Sequence, residues 1–156
     1  MFLKKAAALV LGAFVMFGCS EDPKTMEEPV VSSTEDAAPA SFDENYTPGT
    51  IYFAFDDYTL TADAETELST FANYLATNPG VQVQIEGHCD ERGTIEYNLA
   101  LGERRAQAVK NYLSNLGVDS SRIMTISYGE EKPVSEGHDE DAWSRNRRAE
   151  FILSSN

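Results

Sequence analysis

From Thr50 onward the hydrophobic period of the chain alternates between that of a strand and that of a helix. This order constrains the fold more than any single residue does. "TIYFAF", Thr50 to Phe55, is aromatic and branched and reads as a strand. In "TADAETELSTFANYLATNPG" the apolar residues Ala64, Leu68, Phe71 and Leu75 recur at helical spacing. Thr61 is placed to cap that helix, acids suit its positive end, and Asn78-Pro79-Gly80 stops it. "VQVQIEG" alternates, with Val81, Val83 and Ile85 on one side and Gln82, Gln84 and Glu86 on the other. A second helix follows, striped by Ile95, Leu99, Ala106, Val109, Leu113 and Leu116. Gly102 lies in the same line and predicts close packing there, at some cost in helix propensity. "RIMTISYG" is a third strand, and "RAEFILS" a last one. The long loop between them predicts a short helix around Asp139 to Asn146.

The order β-α-β-α-β-(α)-β predicts an α/β two-layer sandwich, a four-strand sheet with helices on one face. The long excursion before the last strand predicts a mixed sheet. Residues 50–156 suffice for one compact domain of this kind.

The first 49 residues follow another logic. Lys4 and Lys5 precede the apolar run Ala6 to Phe17, which is too short for a permanent membrane helix and has the form of an export signal. "VMFGC" resembles a bacterial lipoprotein processing site, which makes residues 1–18 the signal peptide and Cys19 the acylated head of the mature chain. Each buried acyl CH₂ contributes about 0.8 kcal/mol, so several chains anchor firmly. With Cys19 so used, Cys89 is the one remaining thiol and no intrachain disulfide forms. Residues 19–49 are rich in acids, Pro, Ser, Thr and Ala, cannot repay ordering entropy by burial, and read as a lipid-anchored flexible linker. The formal charge is −14, and removal of Lys4 and Lys5 takes it to −16. Such a chain repels nucleic-acid phosphates and anionic membrane surfaces. Tyr46, Tyr52, Tyr58 and Tyr74 have no basic interleaving and read as packing residues rather than base-stacking ones.

The chemistry concentrates in "GHCDERGTIEYNLALGERRAQAVKNYL", Gly87 to Leu113. Thr94 is placed as the cap of the second helix, behind the freedom of Gly93. Asn98 and Arg105 then differ by only about 20° around the axis, while Arg104 points away. Asp90 sits in the loop after a strand, where α/β layers place ligands. Two readings fit this spacing. Asp90 and Arg105 could clamp the ammonium and carboxylate of a zwitterion, or they could form a structural ion pair that fixes the loop.

The stretches "YFAFDDYTL", "IEGHCDERGTIEYNLALGERRAQAVKNYL" and "ISYGEEKPVSEGHDEDAWSRNRRAEF" resemble the OmpA-like peptidoglycan-binding domain over its whole length. Together with the leader, the layout is similar to that of the lipoproteins of that family. The resemblance implies a non-covalent hold on the meso-diaminopimelate side chain of peptidoglycan stem peptides, with no catalysis, cofactor or metal. It implies Asp90 and Arg105 as the principal contacts, Asn98 beside them, Phe55 and Asp56 near the ligand, and Arg147 as a further lining residue. It also implies engagement of the Tol system, TolB and TolA, from the periplasmic face of the outer membrane, in support of envelope integrity and constriction at division. Ser20 fits that location by not being an inner-membrane retention Asp. Cys89 departs from the small or hydroxylated residue usual before the Asp. Diaminopimelate ends in an ammonium and a carboxylate, whereas lysine lacks the latter. Asp90 is thus expected to supply attraction and Arg105 much of the specificity.

Other uses of the same residues are weaker. His88 and Cys89 are adjacent, so in an extended segment they point to opposite sides and make a poor catalytic pair. His88 is expected instead as a local hydrogen-bonding strut. His88, Cys89 and His138 show no recognisable zinc spacing. A periplasmic protein-binding adaptor without direct wall binding stays open as the alternative, because "EEKPVSEGHDEDAW" with Trp143 could dock a partner.

Overall fold

The computed structural model describes residues 46–155; the leader, Cys19 and the linker up to residue 45 lie outside the described residues. The elements are β1 (Ile51–Tyr52), α1 (Ala62–Thr77), β2 (Val81–His88), α2 (Ile95–Asn115), β3 (Ile123–Gly129), α3 (Glu140–Asn146) and β4 (Arg148–Ser155). A single 3₁₀ turn, Ser120–Arg122, leads into β3. The strand order is β1-β4-β2-β3. β2 and β3 are parallel and joined by the crossover helix α2, whereas β4 inserts antiparallel to both β1 and β2. The sheet is therefore mixed, as the long excursion before β4 predicts.

The side-chain alternation of β2 builds the two layers. Val81, Val83 and Ile85 are buried and oppose Leu153 and Phe151 of β4 and Ile123 of β3 in register. Leu68, Phe71 and Leu75 of α1 and Ala106, Val109 and Leu113 of α2 close the core over them. Phe71 meets Phe151 edge-on at 5.0 Å between ring centres. Full burial of one such side chain is worth about 1.5–3 kcal/mol. Thr61 and Thr94 cap their helices as the sequence predicts, accepting from the backbone N–H of Ala64 and Tyr97. The stripe of α2 is shorter than its periodicity suggests: Ile95 and Leu116, at its two ends, are exposed.

Two deviations from the expected pattern position the site. First, only Ile51 and Tyr52 of "TIYFAF" pair as a strand. Phe53 still donates to the carbonyl of Arg147 at 3.0 Å, and then the chain turns away, Asp57 donating back to Ala54. Phe55 and Asp56 are thereby carried off the sheet, with Asp56 at a left-handed φ of 54°. Second, α2 approaches β2 closely at a pair of glycines. A Cβ on Gly102 would lie 2.3 Å from Ser127 Oγ, and one on Gly87 would lie 1.9 Å from the Gly102 carbonyl oxygen. This contact brings α2 down on the end of β2, where the loop that carries Asp90 begins.

The packed chain starts before Thr50. Tyr46 stacks on Tyr74 at 3.7 Å, Pro48 is buried, and Gly49 donates to Glu67 at 2.9 Å.

Candidate functional site

The loop Cys89 to Gly93 leaves β2 and enters the cap of α2. Gly93 has a φ of 123°, which a β-carbon would strain. Asn98, one turn into α2, clamps the loop: its Nδ2 donates to the carbonyls of Asp90 (3.2 Å) and Arg92 (3.3 Å) and to the Glu130 carboxylate (2.5 Å). Cys89 is buried, its Sγ donates to the Asn98 carbonyl at 3.2 Å, and burial pushes its thiol up to about 11. A thiol so protonated is a poor nucleophile.

Asp90 is only 3% exposed, and both its oxygens are occupied. Oδ1 accepts from the backbone N–H (3.1 Å) and Nε (3.2 Å) of Arg92, and Oδ2 accepts from Arg92 Nη2 (2.7 Å) and Arg147 Nη1 (3.1 Å). Burial would raise its pKa, but the hydrogen bonds from Arg92 and Arg147 outweigh it and hold the carboxyl below the usual range. The Arg92 guanidinium lies between two aromatic faces, 4.0 Å from the Phe55 ring centre and 4.1 Å from that of Trp143. Phe55 is 58% exposed at the rim.

Arg105 reaches the site from α2, as its helical phase predicts, and Arg104 remains exposed. Arg105 is 0% exposed, and its fork donates to three backbone carbonyls: Asp57 (2.8 Å), His88 (2.8 Å) and Ala54 (3.0 Å). The guanidinium ties the β1 turn, the end of β2 and α2 together. Among the described residues Asp90 and Arg105 form no ion pair, so the structural reading of that pair is corrected: Arg92 and Arg147 are the counter-ions of Asp90. Asp56 accepts a short hydrogen bond from the Tyr97 hydroxyl.

Phe55, Asp56, Asp90, Asn98, Arg105 and Arg147 all line one cavity of about 200 Å³. Sequence reasoning missed Arg92 and Tyr97 in the lining, and the Trp143 ring that stacks on Arg92 behind it. Arg92 has a signal, two residues after Asp90 in the same loop. Trp143 has none, since α3 is distant in sequence and arrives only through the fold. There its Nε1 donates to Glu91 at 2.9 Å, and Glu91 also pairs with His138 at 2.8 Å.

His88 is not the hydrogen-bonding strut expected of it. Neither ring nitrogen has a hydrogen-bond partner among the described residues, Glu86 lying 3.8 Å from Nε2, and the ring stacks on Tyr128 at 5.6 Å. Burial pulls its pKa down to about 4, aided by Arg148. Glu86, His88 and Glu150 present ligand atoms within 4.8 Å of one another on the sheet face away from the helices. Arg148 already donates to Glu150 at 2.6 Å, so a divalent cation would meet a buried guanidinium there.

The OmpA family model matches residues 52–147. The peptidoglycan-associated lipoprotein of Haemophilus influenzae is 55% identical over 100 residues, covering 64% of this chain and 65% of that protein, just under two thirds of its length. That of Legionella pneumophila is 38% identical over 164 aligned positions, 95% of this chain and 93% of the relative. The crystal structure of the peptidoglycan-associated lipoprotein from Burkholderia pseudomallei aligns with a TM-score of 0.66 at 46% identity, over 67% of this chain and 89% of that one.

Proposed function

The chain belongs to the OmpA family, and from that premise we propose that it is an outer-membrane lipoprotein whose periplasmic domain holds peptidoglycan non-covalently. The finer reading is that the cavity takes the diaminopimelate side chain of a stem peptide. One observation carries it: a buried carboxylate, Asp90, and three cations, Arg92, Arg105 and Arg147, line the same cavity, with Asp56 at its rim. An ammonium suits Asp90 and a carboxylate suits the cationic wall, so the cavity is complementary to both charges of one amino-acid head. Arg105 sets the positive field and fixes the frame, Asn98 fixes the loop, and Phe55 and Asp56 form the rim. The reaction is binding and release, without bond chemistry. The protonated thiol of Cys89 and the neutral ring of His88, which makes no hydrogen bond among the described residues, support that.

Cys19 acylation would place the domain on a lipid anchor, with the acidic segment after it as the tether between membrane and wall. Engagement of TolB and TolA is part of the same reading and rests on the family resemblance. The adaptor alternative differs in one respect, which a pulldown reads directly. The proposal expects the purified protein to sediment with wall material free of other proteins. Sedimentation that requires an added protein partner would favour the adaptor.

A further inference from the structure

In the free protein the seat for an ammonium is already filled. Arg92 meets both oxygens of Asp90, so no ligand ammonium reaches that carboxylate unless the Arg92 side chain withdraws. Arg105 and Arg147 cannot do the same exchange. Arg105 is fully buried and held by three carbonyls. The Arg147 side chain, 7% exposed, is tied to the Phe53 carbonyl at 3.1 Å and to Glu140 at 2.5 Å as well as to Asp90. The Arg92 side chain is 30% exposed, and apart from Asp90 its guanidinium touches only the Phe55 and Trp143 faces and a Glu140 oxygen at 3.7 Å. Neither ring, at 4.0 and 4.1 Å, makes a directional hydrogen bond that would hold the guanidinium at Asp90.

We propose that Arg92 is the specificity-determining residue of the cavity: it occupies the ammonium seat at Asp90 in the free protein and exchanges that carboxylate for the ligand's own. This inference rests on the proposed binding of an amino-acid head. A ligand with an ammonium and a carboxylate on one carbon gives Arg92 a replacement partner as it takes Asp90. A ligand with the ammonium alone displaces Arg92 and leaves the guanidinium only the long contact to Glu140 at 3.7 Å in place of the two-oxygen pairing with Asp90. Discrimination then arises from the competitor built into the site, not from the ammonium contact, which both ligands make.

The test is calorimetric titration of the purified protein with two soluble stem tripeptides, one ending in meso-diaminopimelate and the other in lysine. Three proteins are compared: the parent, Arg92→Gln and Arg145→Gln, the last removing an exposed cation of α3 outside the cavity. The parent is expected to prefer the diaminopimelate peptide by about tenfold or more, because the lysine peptide brings Arg92 no carboxylate to replace Asp90. Arg92→Gln is expected to bring the two affinities within about threefold, with the lysine peptide bound at least as well as by the parent. Arg145→Gln is expected to keep the parent's ratio. A parent-like ratio in Arg92→Gln would overturn the proposal and leave the function reading intact. A parent that binds neither peptide would overturn the function reading, and this one with it.

Discussion

At the residue scale, the site depends on which buried charges have partners. Asp90 has two cations, Arg105 has three carbonyls, and His88 has none of the hydrogen bonds its ring could make. The two histidines should therefore titrate on opposite sides of the ordinary value. His88 is expected near pH 4, and His138, hydrogen-bonded by Glu91 at the surface, above 6.5. An NMR titration of the two rings checks this. The His88 shift also has a sign for stability. The unfolded chain takes up the proton near pH 6.5 and the folded protein only near 4, so stability is full above 6.5 and falls as pH drops between those values. From pH 7 to pH 5 this amounts to about 2 kcal/mol, and His88→Asn should flatten that part of the profile in denaturant unfolding. The facing groups are Glu86 on β2, Tyr128 on β3, Arg148 and Glu150 on β4, and Lys132 after β3. Helical phase was enough to choose Arg105 over Arg104 from the sequence. It was not enough to find what Arg105 binds, because its acceptors are backbone carbonyls of the β1 turn and of β2, and every residue type carries those. The same limit explains His88: alternation tells which way a side chain points, not whether anything meets it.

At the scale of elements, the domain depends on how closely α2 lies on β2. The glycine in the apolar line of α2 is legible as a close approach, but its counterpart Gly87 and the intruding Ser127 emerge only from the sheet register. Gly102→Ala should cost about 1–3 kcal/mol through overpacking. The helix-propensity gain of about 1 kcal/mol from replacing Gly by Ala offsets part of that cost. Thermal unfolding reads the net loss; an unchanged midpoint would mean that the helix can lift without penalty. The first strand shows the opposite failure. "TIYFAF" has strand composition throughout, yet the chain leaves the sheet after Phe53, whose last ladder-like bond goes to Arg147. Composition sets a preference for extended backbone, but the length of the neighbouring strand decides where pairing ends. That early exit carries Phe55 to the rim, where it stacks on Arg92.

At the scale of the whole molecule, the proposed role sets an acidic chain's OmpA-family domain against the wall, with the segment after Cys19 as its proposed tether. The strand-helix alternation made its mixed two-layer architecture legible, since a long excursion before the last strand permits antiparallel insertion. The start of the packed chain was less legible: acids, Pro and Ser dominate up to Gly49, but Tyr46 lies on Tyr74 and Phe71. Tyr46→Ala should lower stability by about 0.5–1.5 kcal/mol for the lost stacking, more if burial is counted, and a thermal midpoint equal to the parent's would remove Tyr46 from the domain. The most direct measurement of wall binding is sedimentation of the purified protein with diaminopimelate-type peptidoglycan, free of other proteins, beside Asp90→Asn with its folding verified by circular dichroism. Loss of one partner of a buried charge pair costs about 2–5 kcal/mol, so the parent is expected to bind saturably and the variant to lose about thirtyfold or more. Equal binding by parent and variant would contradict that expectation.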